Sequence, residues 1–250
     1  MTLEEIAAEV CLSCSAPLRP GAAFCVRCGA PRVLPARGSF GDVSFVLRFY
    51  VAMLLVHGAV AGMVALDVAP FTVDVAGTSL WAAVTVVAAL LSRDVLAGLY
   101  RTLGFPPRTL LLIAGASLPI YVLVDAYVDV LSRWMTFLRV PDDPFAGASP
   151  IWPVIFVCAF PAIFEEMGFR GVIFGRLARS LRLWEAVLIS SFAFAILHLS
   201  FFSLVTHLPL GLYFCALRHR SGSLAPSMIA HFLHNFWSVL DSRWDWFTFV

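Results

Sequence analysis

The stretch FPAIFEEMGFRGVIFGR, residues 160–176, places two adjacent glutamates and an arginine inside an apolar segment. A charged side chain at the centre of a bilayer costs about 2.5–3.5 kcal/mol on insertion scales. Glu166 and Arg170 are four residues apart, so a helix places them on one face, where an ion pair lowers this cost. Glu165 is turned about 100° away and is available to another partner. The stretch therefore predicts a membrane helix with a polar site.

The composition of the chain indicates an integral membrane protein. Its 250 residues are 60% hydrophobic and 13% charged, with a mean hydropathy of +0.89, whereas about 25% of the residues of a soluble domain are charged. A net charge of +1 gives no reason to expect a nucleic-acid partner. We predict an all-α fold, a polytopic transmembrane helical bundle. The predicted spans are 43–66, 79–100, 109–131, 151–174, 184–201 and 224–240, with a shorter seventh at 204–217.

The arginines predict how the chain is oriented, because loops rich in Arg stay in the cytosol. With the N-terminus inside, three arginines fall on outer segments, namely Arg133, Arg139 and Arg243. The inner segments hold Arg19, Arg27, Arg32, Arg37, Arg48, Arg93, Arg101, Arg108, Arg176, Arg179, Arg182, Arg218 and Arg220. The pattern predicts a cytosolic N-terminus and outer loops at 67–78 and 132–150.

The N-terminal segment predicts a small cytosolic metal module. Residues 1–10, MTLEEIAAEV, lack the basic and apolar regions of a secretory signal, so we expect this N-terminus to be retained. Two CxxC knuckles follow and offer four thiolates to one tetrahedral Zn²⁺: Cys11, Cys14, Cys25 and Cys28. Disulfides or a redox CxxC are the alternatives. We favour structural zinc, because about twenty residues build no core without a metal or crosslinks.

These features predict three regions. Residues 1–32 form the zinc ribbon, residues 33–42 a linker rich in Pro, Gly and Arg, and residues 43–245 the transmembrane domain. The ribbon resembles modules found at the N-termini of many prokaryotic membrane proteins, which predicts a prokaryotic plasma membrane as the location. We expect it to recruit a substrate or a cytosolic partner, with a passive cap on the N-terminus as the alternative.

Four polar side chains from three predicted spans fall at similar depth. Counted at 1.5 Å per residue from the inner arginines, Glu165, His198, His231 and Asn235 occupy a band about 8 Å tall. Phe194 lies four residues before His198, so we expect an aromatic wall beside that imidazole. A buried glutamate and a histidine can activate water, while a second histidine and an amide can donate to an oxyanion. This inventory predicts hydrolysis of an amide bond.

Other interpretations of the polar residues stay open. Two histidines and a carboxylate can ligate a catalytic Zn²⁺, although the HExxH spacing is absent. A structural ion pair in a non-catalytic scaffold, or a proton relay in a transporter-like protein, needs no hydrolysis at all. The remaining polar residues are expected to have no part in catalysis: His57 packs in the bundle, His207 lies at the outer interface, and Asp125 and Asp129 are solvated. Cys158 and Cys215 are expected to be packing residues.

Three motifs on separate spans resemble one family. EEMGFR (165–170), FAILH (194–198) and HFLHN (231–235) are similar, in order, to the EExxxR, FxxxH and HxxxN/B motifs of the CPBP family, the CAAX-protease and bacteriocin-processing (Abi) intramembrane proteases. The resemblance covers roughly residues 80–240. It implies a glutamate-type endopeptidase, called metal-dependent in older schemes, with a helical core of eight helices. Our seven spans fit if a short helix lies within 79–108 or 132–150.

The resemblance also implies roles for the motif residues. Glu165 becomes the general base and His198 its partner in activating water, while His231 and Asn235 form an oxyanion hole. Glu166 and Arg170 support and orient the site. The implied substrate is a membrane protein or a lipidated peptide in the bilayer, because relatives act on prenylated CAAX proteins or on bacteriocins, and nothing in this sequence selects between these.

Overall fold

The described residues of the computed structural model form a bundle of eight helices, which confirms the all-α fold. The structure describes residues 11, 14, 16–18, 25, 27–30, 40–99, 105–134, 145–199 and 201–244. The predicted N-terminal stretch 1–10, linker residues 33–39 and loop residues 135–144 lie outside this description. The helices are α1 (Phe40–Ala65), α2 (Pro70–Leu90), α3 (Arg93–Leu96), α4 (Pro107–Trp134), α5 (Ile151–Ser180), α6 (Leu183–Leu197), α7 (Phe201–Ser221) and α8 (Ala225–Trp244).

The outer surface of the bundle is that of an integral membrane protein. Four helices, α1, α2, α4 and α5, are long and apolar enough to cross a bilayer, and α6 is apolar but shorter. Leucines on the outside of these helices are largely exposed, for example Leu55 at 69%, Leu111 at 74% and Leu123 at 71%. An exposed apolar surface of this kind is stable only against lipid.

The second helix corrects the predicted boundaries. The expected span 79–100 and outer loop 67–78 are wrong, because α2 begins at Pro70 and ends at Leu90. Proline is favoured in the first turn of a helix, where its missing N–H has no helical partner. Asp74 and Thr78 fall within the predicted outer loop, yet they lie on α2 and line a cavity. The short α3 supplies the eighth helix inside the interval 79–108, and α1 begins within the predicted linker.

Wide helical turns distinguish α5, the helix that holds the opening stretch. Its segments Val154–Ala159 and Pro161–Ile173 are π-helical. This conformation is rare in proteins, and where it occurs it is often at a functional site. Pro161 has no N–H, so an α-helical turn would leave the carbonyl of Val157 without a donor. The Asn235 Nδ2 donates to that carbonyl at 2.8 Å. The amide of α8 therefore ties α8 to α5 beside the proline.

Arginines close one end of the bundle. Arg176 of α5 donates from Nη1 to Asp42 Oδ1 at 2.6 Å, from Nε to Ser92 Oγ at 2.9 Å and from Nη2 to the Leu91 carbonyl at 2.9 Å. It thus connects α5 with the start of α1 and with the α2–α3 turn. At the other end, Arg243 Nη2 donates to the Phe145 carbonyl at 3.0 Å. The predicted topology places the start of α1, the α2–α3 turn and the end of α5 on the same side of the membrane, and the structure brings them together. Which side faces the cytosol stays a prediction.

Candidate active site and cysteine cluster

A sealed ion pair lies at the centre of the bundle. Glu166 Oε1 accepts from Arg170 Nη1 at 2.9 Å and from His231 Nδ1 at 3.0 Å. The side chains of Glu166 and Arg170 are both 0% exposed. The predicted ion pair along α5 is therefore present, and it has gained an imidazole from α8. Breaking a buried pair of this kind leaves an uncompensated charge, so each partner depends on the other.

Aromatic rings and a carbonyl complete the surroundings of Arg170. Its guanidinium carbon lies 4.3 Å from the ring centroid of Phe194 and 5.1 Å from that of Phe214. Arg170 Nη2 donates to the carbonyl of Gly211 at 3.3 Å. A cation over an aromatic face is stabilised by the ring quadrupole, and by more when water is excluded. The arginine is thus held between α5, α6 and α7 by carboxylate, carbonyl and two rings.

His231 bridges the two neighbouring glutamates. Its Nδ1 lies 3.0 Å from Glu166 Oε1, and its Nε2 lies 3.9 Å from Glu165 Oε2. Its ring stacks on Phe214 with centroids 5.0 Å apart. A carboxylate only accepts, so Nδ1 carries a hydrogen. The 3.9 Å separation between Nε2 and Glu165 Oε2 is longer than a hydrogen bond.

Glu165 has different surroundings from its neighbour. Its side chain is 21% exposed, against 0% for Glu166. It lines a cavity of about 160 Å³ whose far wall comes from α1 and α2. A carboxylate that borders a cavity can reach water or a ligand, whereas one that is fully enclosed cannot. The two adjacent glutamates therefore face two environments.

His198 ends α6 within an aromatic cluster. Its Nδ1 donates to the Phe194 carbonyl at 2.9 Å, and the two rings meet edge to face with centroids 5.1 Å apart. The predicted aromatic wall is therefore present. The His207 ring lies against His198 with a centroid distance of 3.7 Å. Within the described part of the chain, no hydrogen bond or ring contact joins His198 to Glu165.

Sequence reasoning missed three residues that complete this site: His207, Gly211 and Phe214. His207 was expected at the outer interface, and its ring lies against that of His198, tilted by 37°. A Cβ added to Gly211 would lie 3.0 Å from Ser191 Cβ and 3.1 Å from Ser191 Cα, so only glycine lets α7 touch α6 there and bring its carbonyl to Arg170. A single glycine inside an apolar span was the available signal. Phe214 gave no signal among 22 phenylalanines.

The four N-terminal cysteines lie together as one cluster. Cys11 Sγ is 3.5 Å from Cys28 Sγ, and Cys14 Sγ is 3.7 Å from Cys25 Sγ. All four sulfurs lie within 4.8 Å of one another. Ligands at about 2.3 Å from a tetrahedral Zn²⁺ are about 3.8 Å apart, whereas a disulfide requires about 2.05 Å. The cluster therefore fits one metal ion and contains no disulfide.

The two knuckles of the cluster have the same backbone geometry. The Cys11 N–H donates to the Ala16 carbonyl at 2.8 Å, and the Cys25 N–H donates to the Ala30 carbonyl at 2.7 Å. A hydrogen bond from the Arg27 backbone N–H lowers the pKa of Cys25 to about 7, whereas burial raises the pKa of Cys28 to about 12. A cation among the sulfurs favours the thiolate form of each.

Fold and site together define a class: an integral membrane protein whose helices enclose paired glutamates with an arginine and histidines. Residues 147–237 match the model of a family described as Rce1-like, type II CAAX prenyl endopeptidase Rce1-like. The match covers the segment from the turn before α5 into α8, and it confirms the resemblance. Helices α1–α4 and the ribbon lie outside the match. No curated protein and no solved structure matches the chain.

Proposed function

We propose that this protein is an intramembrane endopeptidase that cleaves a membrane-associated peptide with water activated by Glu165. The observation that carries the proposal is the difference between the adjacent glutamates. Glu166 is enclosed by Arg170 and His231, whereas Glu165 borders a cavity. A general base needs access to the water that it deprotonates, and only Glu165 has this access.

The proposed reaction adds water across one peptide bond. Glu165 takes a proton from water, and the water oxygen bonds to the scissile carbonyl carbon, which becomes a tetrahedral oxyanion. The C–N bond then breaks, and the proton held by Glu165 passes to the leaving amine. The atoms balance without any other reactant. Since peptide hydrolysis by this route forms no acyl-enzyme, no serine or cysteine nucleophile is required.

We assign His231 and Asn235 to stabilising the oxyanion that develops on the scissile carbonyl, and His198 to the attacking water. His231, held by Glu166 through Nδ1, presents Nε2 toward Glu165; when protonated, Nε2–H is a donor for the oxyanion. Asn235 uses one amide hydrogen on Val157 and retains a second. His198 completes the site as the group that orients the attacking water, with a free Nε2 because its Nδ1 bonds to the Phe194 carbonyl.

The geometry favours a glutamate mechanism over a second metal. Within the described residues, the four cysteines are the group that brings three or more metal-ligating atoms within 4.8 Å of one another. Glu165, His198 and His231 do not form such a group. A catalytic metal requires its ligands to converge at about 2.0–2.2 Å from one point. We therefore propose water activation by carboxylate, with zinc confined to the ribbon.

The experiment that tests this function compares membranes from cells that carry native protein with membranes that carry Glu165→Gln. Quantitative proteomics should find at least one membrane-associated peptide whose cleavage depends on Glu165. The matched control is Leu55→Ala, an exposed position on α1, which should give the native cleavage pattern. Identical cleavage products in native and Glu165→Gln membranes would favour a scaffold or a transporter instead.

We further propose that the ribbon binds Zn²⁺ and recruits a substrate or partner to the membrane domain. Its Gly29 lies against the C-terminal end of α7: an added Cβ would be 3.8 Å from the His219 carbonyl oxygen and 3.9 Å from that of Arg220. The ribbon is therefore close to the end of α7 that precedes α8, the helix that carries His231. Cys25→Ser should lose the metal by mass spectrometry and slow cleavage of the natural substrate while leaving cleavage of a short peptide unchanged. Equal rates on the natural substrate would support a passive cap.

A further inference from the structure

The cavity beside Glu165 is built largely by helices outside the family match. His57 and Val60 come from α1, and Asp74 and Thr78 come from α2. The walls are otherwise apolar, with Val56, Val73, Phe160 and Phe164. Cavities of about 150 Å³ accommodate a benzene-sized group, so this one, at about 160 Å³, admits waters or a short piece of substrate. The first two helices therefore contribute to whatever meets Glu165.

The hydrogen bond of His57 fixes which of its two ring nitrogens is left as an acceptor. Its Nδ1 lies 3.1 Å from the Met53 carbonyl oxygen, one turn earlier on α1. A carbonyl only accepts, so Nδ1 carries the hydrogen and Nε2 of the neutral ring carries a lone pair. No residue in the described part of the chain donates to this Nε2. His57 therefore offers the cavity an acceptor.

The polar groups of the cavity select the chemistry of the ligand. Glu165 is a carboxylate that accepts when ionised, and His57 Nε2 accepts as well. Two acceptors among apolar walls suit a ligand with N–H or O–H donors on an apolar frame. The substrate peptide N–H and the attacking water both supply such a donor.

We infer that His57 is a positioning residue of this endopeptidase, which accepts a hydrogen bond at Nε2 from the peptide N–H or the water that lies against Glu165. The inference rests on the proposed function. It extends the active site to α1, which carries none of the three family motifs. A water that donates one hydrogen to His57 and the other to Glu165, or a peptide N–H that donates to His57 beside that water, is restricted in orientation, and restricted orientation accelerates the chemical step.

The test uses three substitutions of His57 in the full-length protein. His57→Asn keeps an amide donor near the position of Nδ1 and removes Nε2, whereas His57→Gln carries its amide to the position of Nε2. His57→Ala removes both. We expect Asn and Ala to lose about tenfold in kcat/KM, the size of one hydrogen bond, and Gln to retain most of the activity. A loss confined to kcat identifies water as the donor, and a raised KM identifies the peptide N–H.

The outcomes separate this inference from the proposed function. If native protein cleaves, Glu165→Gln does not, and His57→Asn is as active as native protein, then His57 is only a packing residue and the inference fails alone. If Glu165→Gln is as active as native protein, the proposed function fails and the inference falls with it.

A second pair of variants keeps the inference testable should the His57 variants fold poorly. Val60→Phe fills the cavity from its wall, and Val64→Phe makes the same change at an exposed position of α1. We expect Val60→Phe to lower kcat/KM at least tenfold, with Val64→Phe within about twofold of native protein. Equal activity of the two variants would show that substrate and water do not use this cavity, and would overturn the role of His57.

Discussion

The charged side chains on the two faces of α5 have opposite surroundings. Toward α6, α7 and α8, Glu166 and Arg170 are fully enclosed and contact His231, the Gly211 carbonyl and aromatic rings. Toward α1 and α2, Glu165 faces a cavity with further polar side chains. The same residue type, one position apart, is therefore structural on one face and accessible on the other. Predictions that distinguish stability from activity test this comparison.

The largest effect on stability is expected at the enclosed face of α5, which carries Glu166 and Arg170. Glu166→Gln removes the charge opposite Arg170 and leaves a buried guanidinium unpaired, which costs about 3–5 kcal/mol. Thermal unfolding in mild detergent should show a large drop in Tm. Glu165→Gln, the same substitution one residue earlier, is the control and should change Tm far less. Similar losses at both positions would remove the distinction between the faces.

A double variant sharpens this prediction. Replacing both members of a buried ion pair by apolar or neutral groups is often close to neutral, since no charge is left behind. Glu166→Gln combined with Arg170→Met should therefore be more stable than Glu166→Gln alone. A double variant that is less stable than the single variant would indicate that Arg170 is held mainly by Phe194, Phe214 and Gly211.

An intermediate effect is expected where α7 touches α6. Gly211→Ala forces a methyl group against the Ser191 backbone, which cannot move as a flexible side chain can, and overpacking of this kind costs about 1–3 kcal/mol. The Gly211 carbonyl should also shift away from Arg170. Tm should fall while the cavity beside Glu165 stays intact, so kcat/KM of the folded fraction should change little. Gly62→Ala on α1, where an added Cβ meets nothing within 4 Å, is the control.

Metal removal should separate the ribbon from the active site. A chelator strong enough to strip Zn²⁺ from four thiolates should release the metal from the cysteine cluster. Cleavage of a short peptide should stay within about twofold of the untreated rate, because in the proposed mechanism Glu165 acts on water without a metal. Loss of cleavage of the short peptide, restored by added Zn²⁺, would contradict the carboxylate mechanism.

The smallest effect is expected at the exposed end of the bundle. Burial raises the pKa of Asp94, but the hydrogen bond and charge of Arg179 outweigh it, so the pKa lies below its ordinary value of 3.8. A lowered folded-state pKa stabilises the protein above the unfolded-state pKa, and the contribution is lost as pH falls through the folded-state pKa. Both side chains are about half exposed, so the contribution is about 0–1 kcal/mol.

The measurement for this pair is Tm at pH 7 and pH 3 for native protein and Asp94→Asn. Native protein should be slightly more stable than the variant at pH 7, and the difference should shrink at pH 3. High salt should reduce it as well, because exposed charges are screened. A difference that grows at pH 3 would have the wrong sign for a carboxylate with a lowered pKa.

Local spacing predicted the parts of the site that lie on one helix. Glu166 and Arg170, and likewise Phe194 and His198, are four residues apart, and helical geometry alone brings such pairs together. The shared face of His231 and Asn235 did not fix how α8 is rotated against α5. The structure places His231 between both glutamates, while Asn235 binds the Val157 carbonyl beside Pro161. These contacts depend on packing between helices distant in sequence.

The boundaries of α2 and the role of His57 were beyond the sequence for the same reason. Asp74 and Thr78 are polar, and polarity at the end of a span is typical of a loop. Only the packing of α1 and α2 against α5 shows that these residues face a cavity with His57 and Glu165. A residue whose polarity is explained by a distant helix gives no local signal.

The central claim is that Glu165 is the general base and that Glu166 is the structural ion-pair partner of Arg170. One paired measurement tests this claim most directly. Cleavage of a substrate found by proteomics is measured for native protein, Glu165→Gln and Glu166→Gln, with Tm recorded for each. We predict that Glu165→Gln loses about 10²–10⁴-fold in kcat at nearly native Tm, and that Glu166→Gln loses Tm first. Native cleavage by a well-folded Glu165→Gln protein would contradict the claim.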